Sequence, residues 1–185
     1  MATAIDDANL RGVDAPITAE RLRDIGIFGG LSDEMLERLA KSLTPLRVMP
    51  GTVLFNEGDP ARELYIVIDG EVEVLKRSRR QRDMRVAILG PNDSFGEMSI
   101  IDVQARSATV RALGPTCLLK MTSEDLDALY RLDLKSYALI TLNIARDLSR
   151  RLRVTDGILA DFAANLLDEY VIARNDKSGL GRAKK

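Results

Sequence analysis

Between Thr44 and Thr122 the chain is interrupted repeatedly by turn residues, at Pro50-Gly51, Gly58-Asp59-Pro60, Asp69-Gly70, Gly90-Pro91-Asn92-Asp93 and Gly114-Pro115. The segments between them, TVLFNEG, LYIVID, EVEVLKR, RVAILG, ATVRAL and TCLLKM, are rich in β-branched residues and follow a period of two. Each is long enough for one strand and too short for a helix that could bury a face. This punctuation predicts a mainly β core with flanking helices, built as a β-sandwich or a jelly-roll barrel.

Helical periodicity brackets that zone. One helix is expected from Thr18 to about Ile27, and a second opens at Ser32-Asp33-Glu34-Met35-Leu36, with Ser32 as N-cap and Leu31 and Leu36 placed as a hydrophobic staple. Met35, Leu36, Leu39 and Leu43 recur at helical spacing. After Thr122, Leu126, Leu129 and Leu132 mark a third helix capped by Thr122 or Ser123. A long helix is expected over 134–172, its pattern running from Lys135 to Tyr170, about 54 Å at ~1.5 Å per residue. Ala145, Leu152, Leu159 and Leu166 share one seam of a heptad repeat, and Leu148, Thr155, Phe162 and Glu169 the other, which suggests pairing with a second copy, the alternative being that the stripe folds back on its own barrel. The expected organisation is a flexible leader over 1–17, a domain over 18–133, the dimerisation helix over 134–172 and a basic, flexible tail over 173–185.

The side-chain inventory removes most enzyme chemistry. Among 185 residues there is no His and one Cys, so imidazole general bases, His-activated nucleophiles, His-ligated metals and Cys clusters are all excluded. No catalytic residue, metal ligand or cofactor is assigned, and Cys117, in an apolar strand, is expected to be an inert core residue. A formal charge of −1 argues against wholesale coating of nucleic acid. The N-terminus lacks a basic region followed by an apolar one, and no apolar run approaches the roughly 20 residues that span a bilayer. A cytoplasmic protein without membrane contact is expected. The basic run Lys76-Arg77-Ser78-Arg79-Arg80-Gln81-Arg82 lies between two strands, where charge runs are usually solvated hairpins.

One stretch carries chemistry: Phe95-Gly96-Glu97-Met98-Ser99-Ile100-Ile101-Asp102-Val103-Gln104-Ala105-Arg106-Ser107-Ala108-Thr109-Val110. It reads as a tight turn at Gly96, a short helix from Glu97 to Asp102, a loop, and a strand starting near Arg106. The first N–H groups of a helix lack intrahelical partners and favour an anion, and glycine lets the backbone come close. Arg106 supplies a permanently charged fork for phosphate oxygens, while Glu97 suits a sugar hydroxyl donor. Phosphate and ribose together describe a nucleotide. The bland alternative is that Arg106 and Glu97 only pair with each other.

FGEMSIIDVQARSATV resembles the phosphate-binding cassette of cyclic nucleotide-binding domains, and PGTVLFNEGDP, LYIVIDGEVEVLK and IFGGLSDEMLERLA resemble that family's early strands and N-terminal helix. The resemblance implies a cyclic nucleotide-binding jelly-roll, or double-stranded β-helix, barrel. It implies ligand contacts from Gly96, Glu97, Arg106 and Ser107: Glu97 to the ribose 2′-hydroxyl, Arg106 to the cyclic phosphate, and Ser107 and the helix amides to the remaining phosphate oxygens. Ala108 contributes its backbone, and Phe95, Met98 and Ser99 complete the ligand-binding set. The run Arg150-Arg151-Leu152-Arg153-Val154-Thr155-Asp156 is similar to the dimer helix of the Crp-Fnr, catabolite activator-like family, which implies that Thr155 and Asp156 reach the base. Ser107 with Thr155 leans towards cAMP, with cGMP the alternative ligand.

With the periodic pattern ending near Tyr170, a C-terminal helix-turn-helix is not expected, and direct DNA binding is not expected either. The resulting expectation is a stand-alone cyclic nucleotide sensor, homodimeric through its long helix, that relays occupancy to an unknown protein partner. The alternative is a Crp-Fnr-type transcriptional regulator or regulatory subunit acting on DNA through a partner or basic segments.

Overall fold

The computed structural model describes residues 17–179, with side chains as far as 167, so all but residue 17 of the leader expected over 1–17 and the last residues of the tail, 180–185, lie outside the described residues. The chain divides into two compact units, one ending at Ile144 and the other beginning at Ala145.

The first unit opens with α1 (Ala19–Arg23), where Thr18 Oγ1 accepts from Arg21 N–H at 3.2 Å. The single helix expected to reach Ile27 instead stops at Arg23, and a separate 3-10 turn forms over Gly26–Phe28. Gly26 is a poor helix former, and Ile25 N–H already bonds Leu22 O in the tighter 3-10 manner. Both pieces bury the apolar positions Leu22, Ile25, Ile27 and Phe28. Helix α2 (Asp33–Ser42) starts at Ser32, whose Oγ accepts from Met35 N–H at 3.3 Å, and buries Met35, Leu36 and Leu39.

Eight strands follow: β1 (Thr44–Val48), β2 (Val53–Phe55), β3 (Glu63–Asp69), β4 (Val72–Arg77), β5 (Asp83–Leu89), β6 (Ser94–Phe95), β7 (Thr109–Ala112) and β8 (Thr116–Thr122). They form two four-stranded antiparallel sheets, ordered β1-β8-β3-β6 and β2-β7-β4-β5, which is the jelly roll. Strands β1 and β6 are not among the segments that the sequence pattern marks. Pro45 weakens the pattern of β1 and is tolerated because β1 is a sheet edge, and β6 is too short to show a period. Val48, Leu54, Tyr65, Val67, Val72, Leu89, Phe95, Val110, Ala112 and Leu118 make the core cluster. Along β3, Leu64, Tyr65, Ile66 and Val67 are all buried, so both faces of that strand are covered. Gly70 in the β3–β4 turn has φ +83, and a Cβ there would sit 2.5 Å from Pro115 O, so the turn requires glycine.

Helix α3 (Met98–Ile101) interrupts the strands, and α4 (Ser123–Leu132) begins with a complete capping box: Thr122 Oγ1 accepts from Asp125 N–H at 3.1 Å while Asp125 Oδ2 accepts from Thr122 N–H at 2.8 Å. Helix α5 runs from Leu134 to Gly179, past the end near Tyr170 that the periodicity suggests. Within the first unit its opening turns bury Ser136, Ile140 and Ile144, and Asn143 Nδ2 donates to Ile27 O at 3.2 Å and Gly29 O at 2.9 Å. In the second unit, Leu152, Leu159, Phe162 and Leu166 of the expected seam are exposed. Cys117 is buried in β8, and burial pushes its thiol up.

Candidate functional site

The 95–108 segment runs from the end of β6 through α3 to the approach to β7. Phe95 closes β6 and stacks on Tyr65 with ring centroids 5.4 Å apart. Gly96 follows with φ +80, and a Cβ there would lie 2.5 Å from Arg106 Nη1. This is why glycine is needed: the arginine passes directly over the backbone, and Arg106 Nη1 donates to Gly96 O at 3.2 Å. Glu97 is the N-cap residue of α3 and is buried, as is Ser99. Ile100 and Ile101 N–H both bond Glu97 O at 3.1 Å, leaving the N–H groups of Met98 and Ser99 ahead of the first intrahelical bond.

Arg106 is 4% exposed, so its charge must be met inside the protein. Nη1 donates to Glu63 O at 2.6 Å, and Nη2 donates to Glu63 Oε2 at 2.9 Å. The guanidinium carbon lies 3.9 Å from the centre of the Phe55 ring, a cation–π stack. Its backbone is clamped by the β2–β3 turn, with Gly58 N–H to Arg106 O and Arg106 N–H to Asp59 O, both 2.9 Å. Burial lowers the Arg106 pKa, while electrostatic interactions with Tyr65, Glu63, Asp59 and Glu97 work in the opposite direction. Burial, followed by the charge of Glu63, pushes Tyr65 up to about 12. Arg106 Nε is buried with no hydrogen-bond acceptor among the described residues.

The expected set of Phe95, Gly96, Glu97, Met98, Ser99, Arg106, Ser107 and Ala108 thus falls in one region of the first unit. Ser107 is exposed and its Oγ donates to Met98 Sδ at 3.7 Å, so the two arms of the cassette meet. Ala108 is buried. The close ion pair of Arg106 is with Glu63, a partner that no motif in the sequence singles out. Forty-three residues separate the two, and the only local signal is an acid placed at the start of an apolar strand. Val103, in the cassette loop, has φ 56 and is 84% exposed, a strained conformation for a β-branched residue. Thr155 and Asp156 belong to the second unit, where both are exposed and Thr155 Oγ1 donates to Arg151 O at 3.0 Å.

A buried fork whose Nε–H has no acceptor among the described residues, a buried carboxylate and two leading helix amides are the donor and acceptor types that suit an anion and a hydroxyl. Among the described residues no group of three or more His, Cys, Asp or Glu could hold a metal ion, and no helix is long and apolar enough to cross a membrane.

The cyclic nucleotide-binding domain family matches residues 45–133. The CRP-like cAMP-activated global transcriptional regulator of Mycobacterium tuberculosis is 36% identical over 142 residues, covering 77% of this chain and 62% of that protein, so the chain spans less than two thirds of that relative. The cyclic AMP receptor protein of Thermus thermophilus is 35% identical over 159 residues, covering 84% of this chain and 71% of that protein. Among solved structures, a cyclic nucleotide-binding domain from Methylobacillus flagellatus KT superposes with a TM-score of 0.71 at 26% identity, over 79% of this chain and 85% of that one. The Thermus thermophilus catabolite activator protein does so with a TM-score of 0.65 at 33% identity, over 75% and 63%.

Proposed function

The chain belongs to the cyclic nucleotide-binding domain family, with CRP-like relatives, and on that premise we propose that it is a cytoplasmic, non-enzymatic sensor that binds a cyclic nucleotide, cAMP in preference to cGMP. The observation that carries the reading is Arg106: a buried cation, anchored on Glu63 and Phe55, with Nε–H lacking an acceptor among the described residues. A cyclic phosphate oxygen satisfies that donor through a charge-assisted bond, and the N–H groups of Met98, Ser99 and Ala108 with the Ser107 hydroxyl take the other oxygens. Glu97 accepts from the ribose 2′-hydroxyl. Thr155 and Asp156 supply the base contacts, and a homodimer forms through the stripe of Leu152, Leu159, Phe162 and Leu166.

In this reading occupancy passes to a protein partner through α5. The opening turns of α5 are tied to the 3-10 turn by Asn143, so a ligand that binds one setting of those turns more tightly shifts the helix. Calorimetric titration with cAMP and cGMP tests the assignment, and no heat from either at high micromolar concentration overturns it. Arg106→Leu is expected to lose at least about 100-fold in cAMP affinity, since a buried charge partner is removed. The regulator role of the Mycobacterium tuberculosis relative favours a second reading, a transcriptional regulator of the same family acting on DNA through a partner or basic segments. A gel shift that appears only with cAMP and fades with added salt selects that reading.

A further inference from the structure

The basic run that leads from the end of β4 towards β5 begins at Lys76, and that residue does not behave as a solvated hairpin charge. Lys76 Nζ donates to Glu57 Oε1 at 2.7 Å and to the backbone carbonyl of Ser107. Glu57 is itself fixed: its Oε2 accepts from Arg77 N–H at 3.0 Å, and its own N–H donates to Thr109 Oγ1 at 2.9 Å. The hydrogen bond from Lys76 holds the Glu57 carboxyl below the usual carboxylate range. The ammonium is therefore set between β4, the β2–β3 turn and the cassette, three segments far apart in sequence.

An exposed Lys–Glu pair alone contributes little. The carbonyl bond changes its meaning. In a trans peptide the carbonyl oxygen and the following N–H lie on opposite sides, and no peptide bond of the described chain is cis. Holding Ser107 O towards Lys76 turns the N–H of Ala108 the other way. A cation on the carbonyl also polarises the peptide and makes that N–H a stronger donor. Arg106, the residue just before this peptide, is locked by its backbone bonds to Gly58 and Asp59, so Lys76 completes the fixing of the segment on its other side.

We propose that Lys76, held by Glu57, is a positioning residue for the ligand's anion: it orients the Ser107–Ala108 peptide so that the Ala108 N–H meets one phosphate oxygen. This deepens the proposed function and rests on it for the identity of the anion. The positioning itself is a property of the ligand-free protein.

The test uses wild-type protein and the variants Lys76→Met, Lys76→Arg and Glu57→Gln. Amide spectra follow the Ala108 resonance, and titrations use cAMP, its two phosphorothioate diastereomers and adenosine. Lys76→Met is expected to move the Ala108 nitrogen resonance in the ligand-free protein and to weaken cAMP about tenfold, as loss of one charge-assisted bond would. The ratio between the two diastereomers should move towards one, because the N–H no longer selects one oxygen. Adenosine, which lacks phosphate, should bind all forms alike, Lys76→Arg should recover most of the cAMP affinity, and Glu57→Gln should fall between. An unmoved Ala108 resonance in Lys76→Met, or an unchanged cAMP affinity with an unchanged diastereomer ratio, overturns the proposal. If the wild-type protein binds no cyclic nucleotide, the functional reading fails and the anion half of this proposal fails with it, while the ligand-free Ala108 resonance alone decides the positioning half.

Discussion

In α5, Ile140 and Ile144 are 0% and 1% exposed, whereas Leu152, Leu159 and Phe162, farther along the helix, are 61%, 63% and 59% exposed. All five are large apolar residues on one continuous helix, so helix propensity and composition cannot account for the difference. The first pair belongs to a unit that buries its own apolar surface, with a core cluster between two sheets and helices beyond them. The second set belongs to a unit whose described residues all lie in α5, and a lone helix has nothing of its own against which to bury a stripe. A seven-residue repeat of such residues is the pattern that a second helix covers. The contrast separates what the first unit buries by itself from what the described part of the second leaves exposed.

The strongest way to break the comparison is to truncate both sets. Ile144→Ala is expected to destabilise by about 2–5 kcal/mol in urea unfolding, the range for a buried aliphatic that leaves a cavity. Leu159→Ala should change the stability of dilute protein by no more than about 0.5 kcal/mol. If the stripe is a dimer seam, Leu159→Ala also lowers the apparent mass in light scattering at tens of micromolar, and the wild-type melting midpoint rises with protein concentration. Equal losses for the two variants at every concentration would erase the distinction between the two units.

A pH experiment sharpens the self-contained side. Tyr65 is buried against Phe55 and Phe95, and its folded pKa of about 12 stands above the ordinary phenol value of 10.0. A raised folded pKa means that the stabilisation is complete below pH 10 and is lost as pH rises through about 12. A rise from 10.0 to about 12 corresponds to about 2–3 kcal/mol. Wild-type protein should therefore lose about that much more stability than Tyr65→Phe between pH 10 and 12, since lysines and arginines titrate alike in both. Parallel curves for the two would show that the phenol is solvated.

The legible parts of this molecule are those written in local chemistry. Thr122 and Asp125 announce a capping box within four residues, and the Ser32 cap is equally compact. Gly96, Glu97 and Arg106 are legible because their spacing is a motif, and in the structure Arg106 Nη1 donates to Gly96 O. The illegible parts are non-local or too brief. The acid that meets Arg106 most closely is Glu63, brought from β3 by antiparallel pairing that leaves no mark within either segment. Lys76 reads as one charge in a basic run because its partners, Glu57 and the Ser107 carbonyl, arrive from two other elements. Strand β6 has too few residues for any period, and α1 ends early because Gly26 breaks a helical apolar pattern whose other positions are still buried.

The smallest expected effect concerns Thr155, whose hydroxyl already bonds Arg151 O within the helix. A base contact would add a second partner to an oxygen that is exposed and locally satisfied, so the gain is a single neutral hydrogen bond, about 1 kcal/mol or roughly fivefold in affinity. Thr155→Ala should weaken cAMP by that factor, weaken cGMP by less, and leave the melting midpoint of dilute protein unchanged. Asp156→Ala serves as the companion, because a carboxylate accepts from the amino group of adenine and repels an acceptor such as the guanine carbonyl oxygen. Losses that are equal for cAMP and cGMP would mean that α5 does not read the base, and selectivity would then belong to the first unit alone.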